Sequence, residues 1–371
     1  MTGFRPVPAR LRGIGTAVPA RAYPQSFALA EIQRLVGDTE AKRTFLERVY
    51  KNSGIETRHS AVEDYGKNPA DFTFHSKSAD LRPETDTKAR NDFFVRHATP
   101  LALRAVRDLQ ERSPDFNPAR VTHLVTVSCT GFSAPGIDFD LAAELPLRAD
   151  VERFHVAFMG CFGAFPALRL ARSLIGADPE ACVLVVCTEI CSVHFRLTWD
   201  PELQVANALF ADGSAAAWLD GSEAPGPHLE LRSFASRVAP ASRGEMSWTI
   251  GEHGFDMRLS SYVPKVLEAN LLPLLQPLLD RAGIQAFADV PLWGIHPGGR
   301  AILDRTASSL AVPAERLAPS YEVLRDFGNM SSATVLFVLQ KILKSSQTGP
   351  VLSAAFGPGL TIESALLQKI G

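Results

Sequence analysis

Cys161 lies in Ala157-Phe-Met-Gly-Cys-Phe-Gly-Ala-Phe165, where a strand-like run ends, Gly160 permits a tight turn and a helical pattern begins. Apolar residues at 162, 165, 168, 171 and 174/175 give that pattern its helical period. A sulfur at a helix N-terminus meets partial positive charge, which stabilises the thiolate and makes it a nucleophile. The alternative is a buried structural cysteine, the reading that fits Cys182 and Cys187 on either side of a strand run. His296 follows another strand-like run in Trp293-Gly-Ile-His-Pro-Gly-Gly299, on a rigid loop whose glycines let a ligand approach the backbone. Read alone it is a turn histidine. Asn329, in Phe327-Gly-Asn-Met-Ser-Ser332, precedes a helical run and reads alone as an N-cap. Together the three supply a nucleophile, a base or donor, and an amide donor, each at a loop or strand–helix junction. Such a set serves acyl transfer, either to water in a cysteine hydrolase or to a carbanion in a condensing enzyme.

Only a fold can bring these distant residues together, and the hydropathy pattern indicates which kind. Leu11 to Val18 reads as a strand, 40–58 as a helix turning at Asn52-Ser-Gly54, and Glu63 to Asp86 as a polar loop. Asp92 to Arg112 reads as an amphipathic helix with a kink at Pro100. Apolar runs at Thr122–Ser128, Phe154–Phe158, Val183–Cys187 and Ala215–Leu219 alternate with helical stretches, which predicts a layered α/β fold with buried strands. The order then repeats: a strand at Leu229–Ala235, helices over Ser261–Ala282, strands at Leu292–Ile295 and Val351–Phe356, and helices at Gly299–Leu310 and Met330–Ile342. This echo divides the chain near 222, into an N-terminal half 1–222 carrying Cys161 and a C-terminal half 223–371 carrying His296 and Asn329. Gly13-Ile-Gly15 lacks a third glycine and runs into Pro19, so it is no dinucleotide fingerprint.

At 371 residues with 46% hydrophobic and 21% charged composition, the chain is long enough for two fused halves of an ordinary globular enzyme. Its formal net charge of −2 supplies no field to attract nucleic acid. No apolar run approaches the ~18 residues of a membrane span, and residues 1–20 hold no continuous apolar stretch of a secretory signal. Five cysteines without framework spacing suit a reducing cytoplasm. Cys187-Thr-Glu-Ile-Cys191 lacks the second pair of a zinc site, and no metal is expected.

Seven ordered stretches resemble one family. They are Gly13-Ile-Gly-Thr-Ala17, Cys129-Thr-Gly-Phe-Ser-Ala-Pro-Gly136, Met159-Gly-Cys161, Leu209-Phe-Ala-Asp-Gly213, Gly294-Ile-His-Pro-Gly-Gly299, Gly328-Asn-Met-Ser-Ser332 and Phe356-Gly-Pro-Gly-Leu-Thr-Ile-Glu363. Spread over nearly the whole chain, they identify a resemblance to type III polyketide synthases, the chalcone synthase-like branch of the thiolase superfamily. Ketoacyl-acyl-carrier-protein synthase III shares the Cys, His and Asn but lacks the terminal Phe-Gly-Pro-Gly. Thiolases use a second cysteine and hydroxymethylglutaryl-CoA synthases a glutamate.

The resemblance implies a five-layered αβαβα thiolase-like fold of two similar halves, a homodimer, and decarboxylative condensation of acyl-CoA with malonyl-CoA without further cofactor. It makes Cys161 the nucleophile, His296 its imidazolium partner, and His296 with Asn329 the donors to the malonyl-derived enolate. Phe210 matches a gatekeeper phenylalanine, and a second gatekeeper falls on Met257, a softer side chain. Cavity positions fall on Cys129, His194, Ala134 and Trp248; the last is often glycine in relatives. These swaps fit bacterial members with long fatty acyl starters, whose tails here would pass between Ala134 and Met257, giving alkylpyrones or alkylresorcinols. For CoA, Lys51 matches a basic position, while two others fall on Thr44 and Glu47, leaving Arg48 and Arg58 as the neighbours that would substitute. Gly298, Gly299 and Ala301 would face the pantetheine arm. The rival readings are a single-condensation synthase III and a catalytically silent acyl-binding protein. The intact Cys161, His296 and Asn329 argue against the silent one.

Overall fold

The computed structural model describes residues 7–239, 242–259 and 263–371. The first part of the chain forms β1 (Arg10–Ala17), β2 (Ala22–Pro24), α1 (Gln25–Val36), α2 (Glu40–Lys51), β3 (Thr57–His59), α3 (Thr87–Arg112), β4 (His123–Ser128) and α4 (Ile137–Glu144). It continues with β5 (Glu152–Ala157), α5 (Ala164–Ala177), β6 (Cys182–Ile190), α6 (Pro201–Leu209) and β7 (Asp212–Asp220). The remainder forms β8 (His228–Arg237), β9 (Met246–Gly251), β10 (Gly254–Leu259), α7 (Val263–Ala282), β11 (Leu292–Ile295), α8 (Arg300–Ser309), α9 (Ala318–Phe327), α10 (Thr334–Lys344), β12 (Gly349–Gly357) and β13 (Thr361–Ile370).

Nine strands join in the order β11-β12-β13-β8-β1-β7-β6-β4-β5, with strands of the first part at one end and of the second at the other. They meet where β1 pairs antiparallel with β8, Leu11 opposite Leu229. β4, β5 and β6 run parallel; β4 and β6 read as apolar runs because they are buried along their full length, whereas edge strand β5, expected to be buried, is exposed or half-buried throughout. Helices α5 and α10 each touch strands of both groups, so they form the middle layer of an αβαβα stack. α3 covers the outer face of the first group, packing on β1, β7 and β6, and α7 covers the second, packing on β8 and β13. Each interface has its own apolar core. Leu168 and Leu336 belong to the middle one, Val106 and Leu184 to the first outer one, and Leu275 and Leu352 to the second.

Most predicted elements are present within a few residues, and α3 runs through Pro100 without ending there. The predicted helix over 261–282 is α7 from Val263; Ser261 lies outside the described residues. The sequence reading did not find α9, β13 or the β9–β10 hairpin. The hairpin stands apart from the main sheet and pairs only with itself, Met257 opposite Trp248. β13 is buried on both faces over most of its length, so it has no polar–apolar alternation to read.

Candidate active site

The turn that carries Cys161 is built by crowding. After β5, Phe158 takes φ +57° and Gly160 φ +75°, and a 3-10 turn over Gly160–Phe162 leads into α5. A Cβ at Gly160 would stand 2.4 Å from Pro358 Cδ, and one at Gly357 would stand 2.5 Å from Phe162 Cδ1. The terminal Phe-Gly-Pro-Gly stretch therefore packs across the Cys161 turn, and glycine is required on both sides. His296 directly follows β11; its backbone N–H donates to the Ala354 carbonyl at 2.8 Å, extending the parallel pairing with β12 by one residue. Asn329 follows α9 and precedes α10. Its N–H donates to the Leu209 carbonyl at 2.9 Å and its carbonyl accepts from Ala211 N–H at 2.8 Å, which locks it beside Phe210.

The three side chains share one cavity of about 620 Å³, with Phe210, Trp248, Met257, Gly298, Gly299 and Ala301 in its wall. Asn329 Oδ1 accepts from Ser331 N–H at 2.9 Å and the Thr334 hydroxyl at 3.4 Å, which leaves Nδ2 to donate to Cys161 Sγ at 3.9 Å. Asn329 is therefore not the N-cap of α10, which begins five residues later at Thr334: its Oδ1 closes a local turn on Ser331, and its Nδ2 faces the Cys161 sulfur. Both ring nitrogens of His296 are buried without a partner.

Burial pushes the Cys161 thiol up to about 11; the Glu189 carboxylate adds to this, while Ser331 and Asn329 work against it. Burial alone drives His296 down to about 3. Burial thus works against the thiolate–imidazolium pair expected from the sequence, since each charge must be taken out of water.

Four further expectations are corrected. Cys129 does not line the cavity: its thiol lies behind the site, 3.3 Å from Glu189 Oε1 and 3.1 Å from the Ser331 hydroxyl. His194 stands one layer back, with Nε2 2.7 Å from the Thr130 carbonyl, Nδ1 accepting from Phe255 N–H at 3.1 Å, and its ring stacked on Phe255 at 4.1 Å. Ala134 opens onto a separate surface cleft beside Phe132 and Phe139. The rings of Trp248, His194, Phe255 and Phe132 contact one another in file between the cavity and that cleft. Arg58 is buried, donating to Gln25 Oε1 at 2.8 Å and to the carbonyls of Asn207 and Phe210 at 2.5 and 2.8 Å; it holds the end of α6 and cannot meet CoA.

At the mouth, α2 presents Phe45 and Val49, its C-cap Asn52 follows, and α8 presents Arg300. Arg48 is exposed with its guanidinium 5.7 Å from the Phe45 ring, and Lys51 is paired with Glu47. Arg300, missed by the sequence reading, is 60% exposed at the mouth, and its only ion-pair partner among the described residues is Asp304 at 3.6 Å. Its place directly after Gly298-Gly299 was the available signal. Glu189 was also missed. Its buried carboxylate gathers Thr130 Oγ1 at 2.8 Å, Cys129 N–H at 3.0 Å and Ser332 Oγ at 2.5 Å, tying the end of β4 to the Asn329 loop. Among the described residues no group of three or more His, Cys, Asp and Glu could hold a metal.

Residues 5–223 match the N-terminal domain of chalcone and stilbene synthases, and residues 230–371 match the C-terminal domain. The chain belongs to this family, the type III polyketide synthases. The "Alpha-pyrone synthesis polyketide synthase-like Pks18" of Mycobacterium tuberculosis is 33% identical over 371 residues, covering 98% of this chain and 91% of that protein. "Probable polyketide synthase 1" of Dictyostelium discoideum is 32% identical over 368 residues, 96% of this chain but 11% of that much longer protein. Among solved structures, the C-terminal type III polyketide synthase domain of Steely1, a type I/III hybrid from Dictyostelium, superposes with a TM-score of 0.90 at 30% identity, covering 98% of this chain and 100% of that one. PKS-I from the brown alga Ectocarpus siliculosus gives 0.91 at 29% identity, covering 99% of each. This polyketide synthase is thus a decarboxylating, condensing acyltransferase on a thiolase-like fold. Among the described residues no helix is long and apolar enough to cross a membrane.

Proposed function

We propose that this synthase loads a fatty acyl group from acyl-CoA onto Cys161, extends it with malonyl-CoA, and closes the chain to an alkylpyrone or alkylresorcinol. The observation that carries the reading is the cavity wall above Cys161. Phe45, Val49, Val205, Leu209, Met246 and Leu259 extend the apolar lining of Phe210, Trp248 and Met257, a mainly apolar surface on which an alkyl chain can lie. The name of the mycobacterial relative favours the pyrone.

In this reading Cys161 attacks the acyl thioester carbon, His296 takes the thiol proton, and CoA leaves as a thiol with that proton. Malonyl-CoA then binds with its thioester oxygen toward His296 and Asn329. Loss of CO2 sends the electron pair onto that oxygen, where the two donors hold the enolate in a site largely closed to water. The enolate carbon attacks acyl-Cys161 and the Cys161 sulfur leaves. CoA enters past Arg300 and Arg48, its pantetheine arm along Gly298, Gly299 and Ala301.

The division into halves at 222 assigns the nucleophile to one half and both donors to the other. A homodimer fits the exposed face of Phe132, Phe139, Phe158 and Met159 beside edge strand β5, which also carries Ala134. A cytoplasmic location fits the five free cysteines.

The test is intact-protein mass spectrometry with a panel of acyl-CoA lengths, followed by product masses with malonyl-CoA. The parent is expected to gain one long acyl group, and Cys161→Ala none. An adduct surviving in Cys161→Ala would overturn the nucleophile, and loading of short or aromatic acyl groups alone would overturn the starter class.

A further inference from the structure

A second pocket, of about 510 Å³, lies at the end of the sheet away from Cys161. Asp220 in its wall pairs with Cys182 at the start of β6, whereas Cys161 follows the far end of β5, which runs in the same direction as β6. Five cations from separate segments border the pocket: Arg12 on β1, Arg112 at the end of α3, Arg120 before β4, Lys344 at the end of α10 and Lys369 on β13. The acidic side chains in the wall are Asp115 and Asp220.

Two of the five cations are already matched. Arg12 Nε donates to Asp220 Oδ1 at 3.0 Å and its guanidinium to the Ala224 carbonyl at 2.8 Å, while Arg112 pairs with Asp108 at 2.7 Å. The other three are not. Lys344 Nζ meets Gln340 Oε1 at 3.4 Å, and Lys369 Nζ meets the Ile370 carbonyl at 3.1 Å. Among the described residues neither lysine pairs with a carboxylate, and nor does Arg120. Lys369 is only 2% exposed. An ammonium has three protons to donate, and taking one out of water with a single carbonyl as acceptor is unfavourable until an anion joins it. Partial burial and then the Arg112 guanidinium lower the pKa of Lys344, and burial lowers that of Lys369, as uncompensated positive charge requires.

We propose that this pocket binds a phosphate-type oxyanion, held by Lys344, Lys369 and Arg120. The inference is independent of the reaction proposed above. A tetrahedral dianion offers acceptor oxygens in several directions and so can meet donors that arrive from different segments. Arg120 lies before the connection over 222–227, which forms part of the wall, and the two lysines lie after it. The anion therefore bridges the two parts of the chain at the end of the sheet opposite the reacting cysteine.

The test is calorimetric titration of the full chain with inorganic phosphate and, separately, with adenosine 3′,5′-bisphosphate, at constant ionic strength. The parent is expected to bind saturably, Lys344→Gln and Arg120→Gln to bind roughly tenfold more weakly, the scale of one charge-assisted hydrogen bond, and Lys369→Met more weakly still. Binding of inorganic phosphate would identify the free ion as sufficient, and binding of the bisphosphate alone would identify a nucleotide phosphate. Since the bisphosphate also suits the cavity mouth, only binding that Lys369→Met loses is assigned to this pocket. Lys344 and Arg120 are exposed, so without phosphate their variants should unfold at the parent's denaturant midpoint, and phosphate should raise the midpoint of the parent alone. No saturable binding of either probe by the parent, or binding unchanged in all three variants, would overturn the proposal. So would an equal rise of the midpoint in parent and variants, which is the general effect of an excluded salt.

Discussion

The floor and the wall of the cavity are made differently. Cys161 and Asn329 sit where the two middle-layer helices α5 and α10 begin, and His296 sits at the end of a buried strand. Each is fixed by backbone contacts to another part of the chain: Gly160 against Pro358, His296 N–H to Ala354, Asn329 to Leu209 and Ala211. Trp248 and Met257 instead lie on a two-stranded hairpin outside the main sheet, fixed by ring contacts and cross-strand packing. Displacing the floor would disturb the core between the sheets, whereas residues on the hairpin can change without touching it. On the proposed roles, the chemistry would be tied to the stability of the fold and substrate choice would not.

The sharpest way to break this comparison is at the floor. Asn329→Ala would remove one of the two proposed enolate donors and should slow malonyl-CoA decarboxylation by ~10²–10³. Acylation of Cys161 should fall far less, because Asn329 takes no proton in that step. Equal losses in both assays would mean that Asn329 serves the floor only through the turn it closes on Ser331.

A change at the wall should act on substrate length. Met257→Phe adds a rigid ring opposite Trp248 and should cost a long acyl starter about 1–3 kcal/mol of fit, as overpacking does in cores. Measured as kcat/KM across a series of acyl-CoA lengths, the loss should grow with length and be small for short starters. A uniform loss would place Met257 with the floor.

The smallest effect is one the two regions share. His296 in the floor and His194 behind the wall are both driven down to about 3 by burial, from 6.5 in the unfolded chain. Below pH 6.5 the unfolded chain binds protons that the native one refuses, so these histidines lower stability as pH falls, down to about 3. Between pH 7 and 6 each should cost roughly 0.5–1 kcal/mol, visible as a falling denaturant midpoint. A midpoint unchanged over that interval would show that one or both rings pick up their proton in the native state.

The order of strands and helices, the turn at Cys161 and the short motifs around His296 and Asn329 were legible in the chain because they depend on neighbouring residues. Periodicity reports which face of an element is buried, and Gly160, Pro297 and Gly328 mark turns wherever they occur. Which motif meets which was not legible locally; family resemblance supplied it. That Gly160 and Gly357 answer Pro358 and Phe162 is a property of two segments nearly two hundred residues apart. Arg58 and Lys51 look alike as basic residues near one helix, yet one is buried under α6 and the other is exposed. Cys129 and His194 align with cavity positions but stand behind the wall, because the hairpin inserts Trp248 and Phe255 in front of His194, and the Asn329 loop and Glu189 enclose Cys129. The protonation states of Cys161 and His296 likewise depend on how completely other segments exclude water from them. The residue types in the chain specify what chemistry is available; burial, which sums contributions from the whole fold, decides the charge each group carries and which of them a substrate can reach.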